Sequence, residues 1–99
     1  MKTSQQIDHQ TALYVQAAES YSIVVQIVGA PIMKSRPLKK YAEYLQNMGW
    51  CRIHRSYLVN PAFVKYIEEN RTNICLQNGE ILPISRRNLK TVLQWRNNI

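Results

Sequence analysis

The chain has 99 residues, 45% of them hydrophobic, and carries 13 Lys and Arg against 6 Asp and Glu, a formal net charge of +7. That length sustains one modest core and not a second, and the apolar share excludes a disordered chain, so one domain is expected over residues 1–99 with its core roughly at 7–96. The positive excess fits a polyanion such as nucleic acid or an anionic membrane surface, although solubility alone also accounts for basic charge.

No apolar run approaches the roughly 18 residues that cross a bilayer, and the polar start lacks the apolar segment of a signal peptide. A cytoplasmic protein without a membrane partner is therefore expected. Cys51 and Cys75, far apart and both in strand-like segments, read as buried reduced thiols in preference to a disulfide.

In chain order, residues 1–11 form a polar lead, expected to be loose or weakly paired. Residues 12–17 and 21–28 read as two strands of an antiparallel hairpin turning at Glu19-Ser20. In the second strand Tyr21, Ile23, Val25 and Ile27 are expected on one face, with Ser22 and Gln26 pointing away. Gly29-Ala30-Pro31 ends it, and Ile32-Met33 opens a third strand. Residues 35–46 carry Leu38, Tyr41, Ala42 and Leu45 at helical spacing, with Ser35 as the expected cap and Gly49 beyond the end. The cations at its start, Lys34, Arg36, Lys39 and Lys40, read as a solvated face, because cations at a helix N-terminus oppose the dipole.

The stretch 51–61 alternates Cys51, Ile53, Tyr57 and Val59 as a half-buried strand does, but strict alternation would aim Arg55 into the same core. An unpaired buried charge is costly, so the pattern predicts two strand segments with a bend at residues 54–56 that turns Arg55 outward. Residues 63–67 lead to a polar turn. Residues 72–76 and 80–84 flank Asn78-Gly79, which predicts a type I′ hairpin turn. Ser85 caps a closing helix whose buried stripe is Leu89, Val92 and Leu93, flanked by Trp95. The sum is a mainly β chain with two helices.

Catalysis is not expected. No two of the acidic residues are spaced as an acid–base pair, and His9 and His54 share no metal-ligand spacing with the cysteines. His54 and Ser56 lack an orienting carboxylate, no Gly-rich phosphate loop occurs, and no cofactor is implied. What remains is arginine at turns and helix starts. Arg52 and Arg55 flank His54, while Arg86 and Arg87 follow Ser85 at the start of the closing helix. Charge logic leaves two readings of Arg86-Arg87 equally open: an anion visits that end, or the pair lies along apolar rings.

The run Arg52-Ile-His-Arg-Ser-Tyr-Leu-Val-Asn60 followed by Gly79-Glu-Ile-Leu-Pro-Ile-Ser-Arg-Arg87 resembles the LytTR family of bacterial DNA-binding domains. Leu13-Tyr-Val-Gln-Ala-Ala-Glu-Ser-Tyr21 and the helix from Ser35 fit the same pattern in the same order. The resemblance implies an elongated stack of small antiparallel β-sheets with two short helices. It also implies a transcription regulator, or its output domain, that binds double-stranded DNA by loops inserted into successive major grooves. Sites are typically paired direct repeats, often bent, with a receiver domain or a second copy on DNA as further partners. The family usually has a receiver or membrane domain before this module, whereas here Met1 lies only a few residues upstream, as in a stand-alone regulator or an excised output domain.

Carried over by position, the implied base contacts are Arg55, Arg87 and one of Ser20, Tyr21 or Ser22. The arginine fork suits the O6 and N7 of guanine. Arg52, Arg71, Arg86 and Lys90 are expected on phosphates, and His54, Ser56, Asn60 and Ser85 are expected to shape the site. Two other functions compete with this reading. One is a basic protein-interaction module acting as an anti-activator. The other is single-stranded nucleic-acid binding on Tyr14, Tyr21, Tyr57 and Tyr66, which the core-facing position of most of these rings disfavours.

Overall fold

The computed structural model describes residues 7–97. Its framework is a five-stranded antiparallel sheet of β1 (Ala12–Ala18), β2 (Tyr21–Gln26), β3 (Ile32–Lys34), β4 (Cys51–His54) and β5 (Tyr57–Val59), in the order β3-β2-β1-β5-β4. A second sheet has β6 (Val64–Ile67), β7 (Asn73–Leu76) and β8 (Ile81–Pro83) in sequence order. Two helices complete the fold, α1 (Leu38–Leu45) and α2 (Leu89–Arg96). The molecule is elongated, 42 × 26 × 23 Å.

Both faces of the larger sheet are covered. On one face Val15, Val24 and Leu58 pack against Leu38, Tyr41, Ala42 and Leu45 of α1. On the other, Tyr14, Cys51, Ile53 and Val59 meet Ile74, Leu76 and Leu82 of the small sheet and Val92 of α2. The pairing slips between Ala12 and Tyr14, which lets Leu13 and Tyr14 enter the same core although they are adjacent. The Tyr14 hydroxyl also donates to Glu80 Oε2 at 2.8 Å, joining the two sheets.

Several sequence expectations are corrected. Residues 7–11 are packed, not loose: Ile7 is buried and His9 Nδ1 accepts the Trp50 indole N–H at 2.9 Å. Residues 1–6 of the expected lead lie outside the described residues. In β2 both faces are covered instead of one: Val25 packs on one core as expected, but Ser22 and Val24 are buried on the other side and Tyr21 is exposed. Ser22 tolerates burial because its hydroxyl donates to the Arg36 carbonyl at 2.7 Å. Ser35 does not cap α1; Pro37 occupies the N-cap position without a side-chain hydrogen bond. At Asn78-Gly79 only the glycine has positive φ (92°), and Gly79 N–H donates to Leu76 C=O. The connection is thus the three-residue kind with a left-handed glycine, and not type I′. Both cysteines are free and buried, in agreement with expectation.

The split of residues 51–61 is present as expected, with β4 and β5 pairing antiparallel around Arg55-Ser56. Gln16 faces Tyr57, and Ala17 N–H donates to Ser56 C=O at 2.9 Å. The β4–β5 turn therefore lies at the same end of the sheet as the β1–β2 turn. The start of the closing helix joins them there, because Ser85 N–H donates to Ile53 C=O at 2.9 Å.

Burial raises the Cys51 thiol from its ordinary value near 9 to about 11. A folded-state pKa above the unfolded one stabilises the fold fully below the unfolded value and is lost as pH rises through the folded one. Stability should fall by about 2–3 kcal/mol on this account between roughly pH 9 and 11, and Cys51→Ala should flatten that limb. Urea unfolding at stepped pH checks both.

Candidate nucleic-acid interface

The end of the sheet where these turns meet carries a cleft of about 460 Å³ lined by Arg52, His54, Arg55, Ser85, Arg87 and Asn88. Three of the six are arginines and none is acidic. Two come from one sequence motif and the third from the other, so the fold brings together what the chain separates by more than thirty positions.

Each rim is held by side-chain hydrogen bonds to backbone. In the β4–β5 turn His54 Nδ1 accepts from Ser56 N–H at 3.1 Å. The Arg52 guanidinium crosses beneath the turn, donating from Nε to His54 C=O at 3.0 Å and from its terminal nitrogen to Arg55 C=O. On the opposite rim Ser85 caps the 3-10 turn Arg86–Asn88 by accepting from Asn88 N–H, and its hydroxyl meets Asn88 Oδ1. Asn88 Nδ2 donates to Arg52 C=O at 3.1 Å, tying one rim to the other. Sequence reasoning missed Asn88, although its place three residues after a capping serine was the available signal.

The structure separates the expected site residues. Arg55 and Arg87 are exposed and line the cleft, with Arg86 and Lys90 exposed beside it. Ser20 and Tyr21 are exposed on the neighbouring β1–β2 turn, where Glu19 has φ of 59°. Ser22 is fully buried and is withdrawn as a base contact. Arg52 is half-buried and engaged with the turn, and desolvation lowers its pKa from the ordinary value. Arg71, on the β6–β7 connection, lines a different cleft with Glu68, Glu69, Leu93 and Arg96. Asn60 is remote: buried at the far end of β5, its amide donates to His9 C=O and Ala12 C=O, and its Oδ1 accepts from Ala62 N–H. Of the four tyrosines weighed as stacking platforms, Tyr14 is buried, Tyr57 half-buried, and Tyr21 and Tyr66 exposed.

An arginine cleft with no acidic lining residue thus sits between loops at one end of a two-sheet β framework. The model of the LytTr DNA-binding domain matches residues 2–97, and the chain belongs to that LytTR family. The LytTr DNA-binding domain of a protein described as a methyl-accepting/DNA response regulator from Bacillus cereus has the same fold. It superimposes with a TM-score of 0.77 at 21% identity, over 90% of this chain and 84% of that one. Comparison with curated proteins finds no match. Among the described residues, no helix is long and apolar enough to cross a membrane.

The Arg52 geometry generates a test. Lysine keeps the charge but not the fork that holds two carbonyls. Arg52→Lys should lose about 1–3 kcal/mol of stability and weaken binding to a selected duplex more than to a random one. Denaturant melts and paired titrations on the two duplexes check this.

Proposed function

We propose that the chain binds double-stranded DNA sequence-specifically, as the single output domain of a cytoplasmic bacterial transcription regulator, one copy per direct-repeat half-site. The observation that carries the reading is the shared cleft of Arg55 and Arg87, exposed and free of carboxylates among its lining residues. Guanidinium groups gathered around one cleft repel each other, and a polyanion relieves that repulsion. Each fork also matches the two acceptors of a guanine edge. Arg86 and Lys90 on the rim then hold phosphates and set register, while Arg52 acts chiefly by positioning the Arg55 turn.

Three loops stand in a row: the β1–β2 turn, the β4–β5 turn and the Ser85–Asn88 segment. At about 4.8 Å per strand, the backbones of the outer two are about 17 Å apart. One helical turn of DNA is about 34 Å, so loops reaching successive major grooves need extended side chains and a duplex bent toward the protein. Bending narrows that gap and supplies a sequence-dependent energy of its own.

Arg55→Ala and Arg87→Ala should each lose about 1–3 kcal/mol on the selected site and relax preference at one base position. Lys90→Ala should weaken selected and random duplexes alike. Selection from random DNA followed by anisotropy titrations measures both effects, and equal losses on both duplexes for all three variants would overturn the assignment.

A further inference from the structure

The basic residues at the start of α1 lie at the same end of the sheet as the arginine cleft. Ser22, next to the β1–β2 turn, pairs with Lys34 of the edge strand β3, and the Ser22 hydroxyl binds the Arg36 carbonyl. The chain enters α1 directly from there. The helix then runs away toward Trp50, whose amide N–H donates to Leu45 C=O and whose ring contacts His9 at the far end of β1. Lys39 and Lys40, both exposed, thus occupy the one turn of α1 nearest the reading end, while Leu38, Tyr41, Ala42 and Leu45 face inward.

Charge is concentrated there more sharply than the net value conveys. Lys34, Arg36, Lys39, Lys40, Arg52, Arg55, Arg86, Arg87 and Lys90 belong to these loops and helix starts, with Glu19 on the β1–β2 turn among them and Glu43 one turn along α1 from Lys39 and Lys40. The first turn of α1 contains no acidic residue and no side-chain cap to offset its cations. Together with the loops, the end becomes a basic ridge from β3 across to Arg87, about 24 Å long at about 4.8 Å per strand.

We infer that Lys39 and Lys40, with Lys34 and Arg36 beside them, form a second phosphate-holding flank on the side of the β1–β2 turn remote from Arg87. The inference rests on the DNA-binding reading above and extends it. The flank contacts backbone and reads no base, so it lengthens the footprint without changing the preferred sequence. Its partner is the sugar–phosphate strand of the same duplex, engaged just beyond the bases approached by the β1–β2 turn.

The test is the salt dependence of binding by Lys39→Gln/Lys40→Gln, with Lys65→Gln on the small sheet as the control. Each neutralised phosphate contributes about 0.9 to the slope of log K against log salt. The double variant should lose about 1.8 of that slope on selected and random duplexes alike, keep the selected base preference, and lose hydroxyl-radical protection at one flank only. Lys65→Gln should change none of these. An unchanged slope and footprint in the double variant, with normal binding by the parent chain, would overturn the inference and leave the arginine cleft standing. A flat salt dependence in the parent chain would instead remove DNA as the partner, and this flank with it.

Discussion

The backbone hydrogen bond from Ser85 N–H to Ile53 C=O, 2.9 Å long, places the second arginine motif beside the first. Apolar packing of Val92 and Leu82 against Ile53 draws the small sheet and closing helix onto the larger sheet, but such packing is non-directional. The hydrogen bond, reinforced by Asn88 Nδ2 on the Arg52 carbonyl, fixes which part of the closing segment meets the end of β4.

The electrostatics follow from this placement. Gathering cations at one end opposes folding by mutual repulsion, and the molecule limits it structurally. Arg52 turns its guanidinium inward onto two carbonyls, where it stiffens the loop that presents Arg55. Arg55 and Arg87 stay outward, where solvent screens them. Of the acids, Glu68 and Glu69 sit by Arg71 and Arg96 and Glu80 against the Tyr14 hydroxyl, while Glu19 is exposed on the β1–β2 turn. Burial, and then the Glu80 contact, hold the Tyr14 phenol well above its ordinary range, so it remains a hydrogen-bond donor to the carboxylate.

Legibility in the sequence was greatest where one rule acted alone. The outward turn of Arg55 followed from the cost of burying a charge in an alternating strand. The Ser85 cap and the left-handed Gly49 were equally local. The facing of β2 was not legible, because both faces of the sheet are covered and a small serine with a satisfied hydroxyl packs as readily as valine. Asn78-Gly79 marked a turn correctly, but the local signal does not separate a two-residue from a three-residue connection. The basic start of α1 is an exposed face, as its sequence suggests, but its place beside the β1–β2 turn was not legible, because it depends on the pairing of Ser22 with Lys34, a contact between distant parts of the chain. Asn60 stabilises a turn, as its residue type suggests, but its place at the far end of β5 is set by tertiary contacts that the local sequence does not show.

The most direct test of the central claim is a backbone amide NMR titration of the intact chain with its selected duplex. If the framework presents one reading end, the amides of Ser20, Tyr21, Arg55, Ser56, Arg87 and Asn88 shift together at substoichiometric DNA, while those of Thr11, Gly79 and Ala62 at other points of the molecule stay in place. Shifts centred on the far end or the small sheet, with the Arg55 and Arg87 amides unmoved, would contradict it.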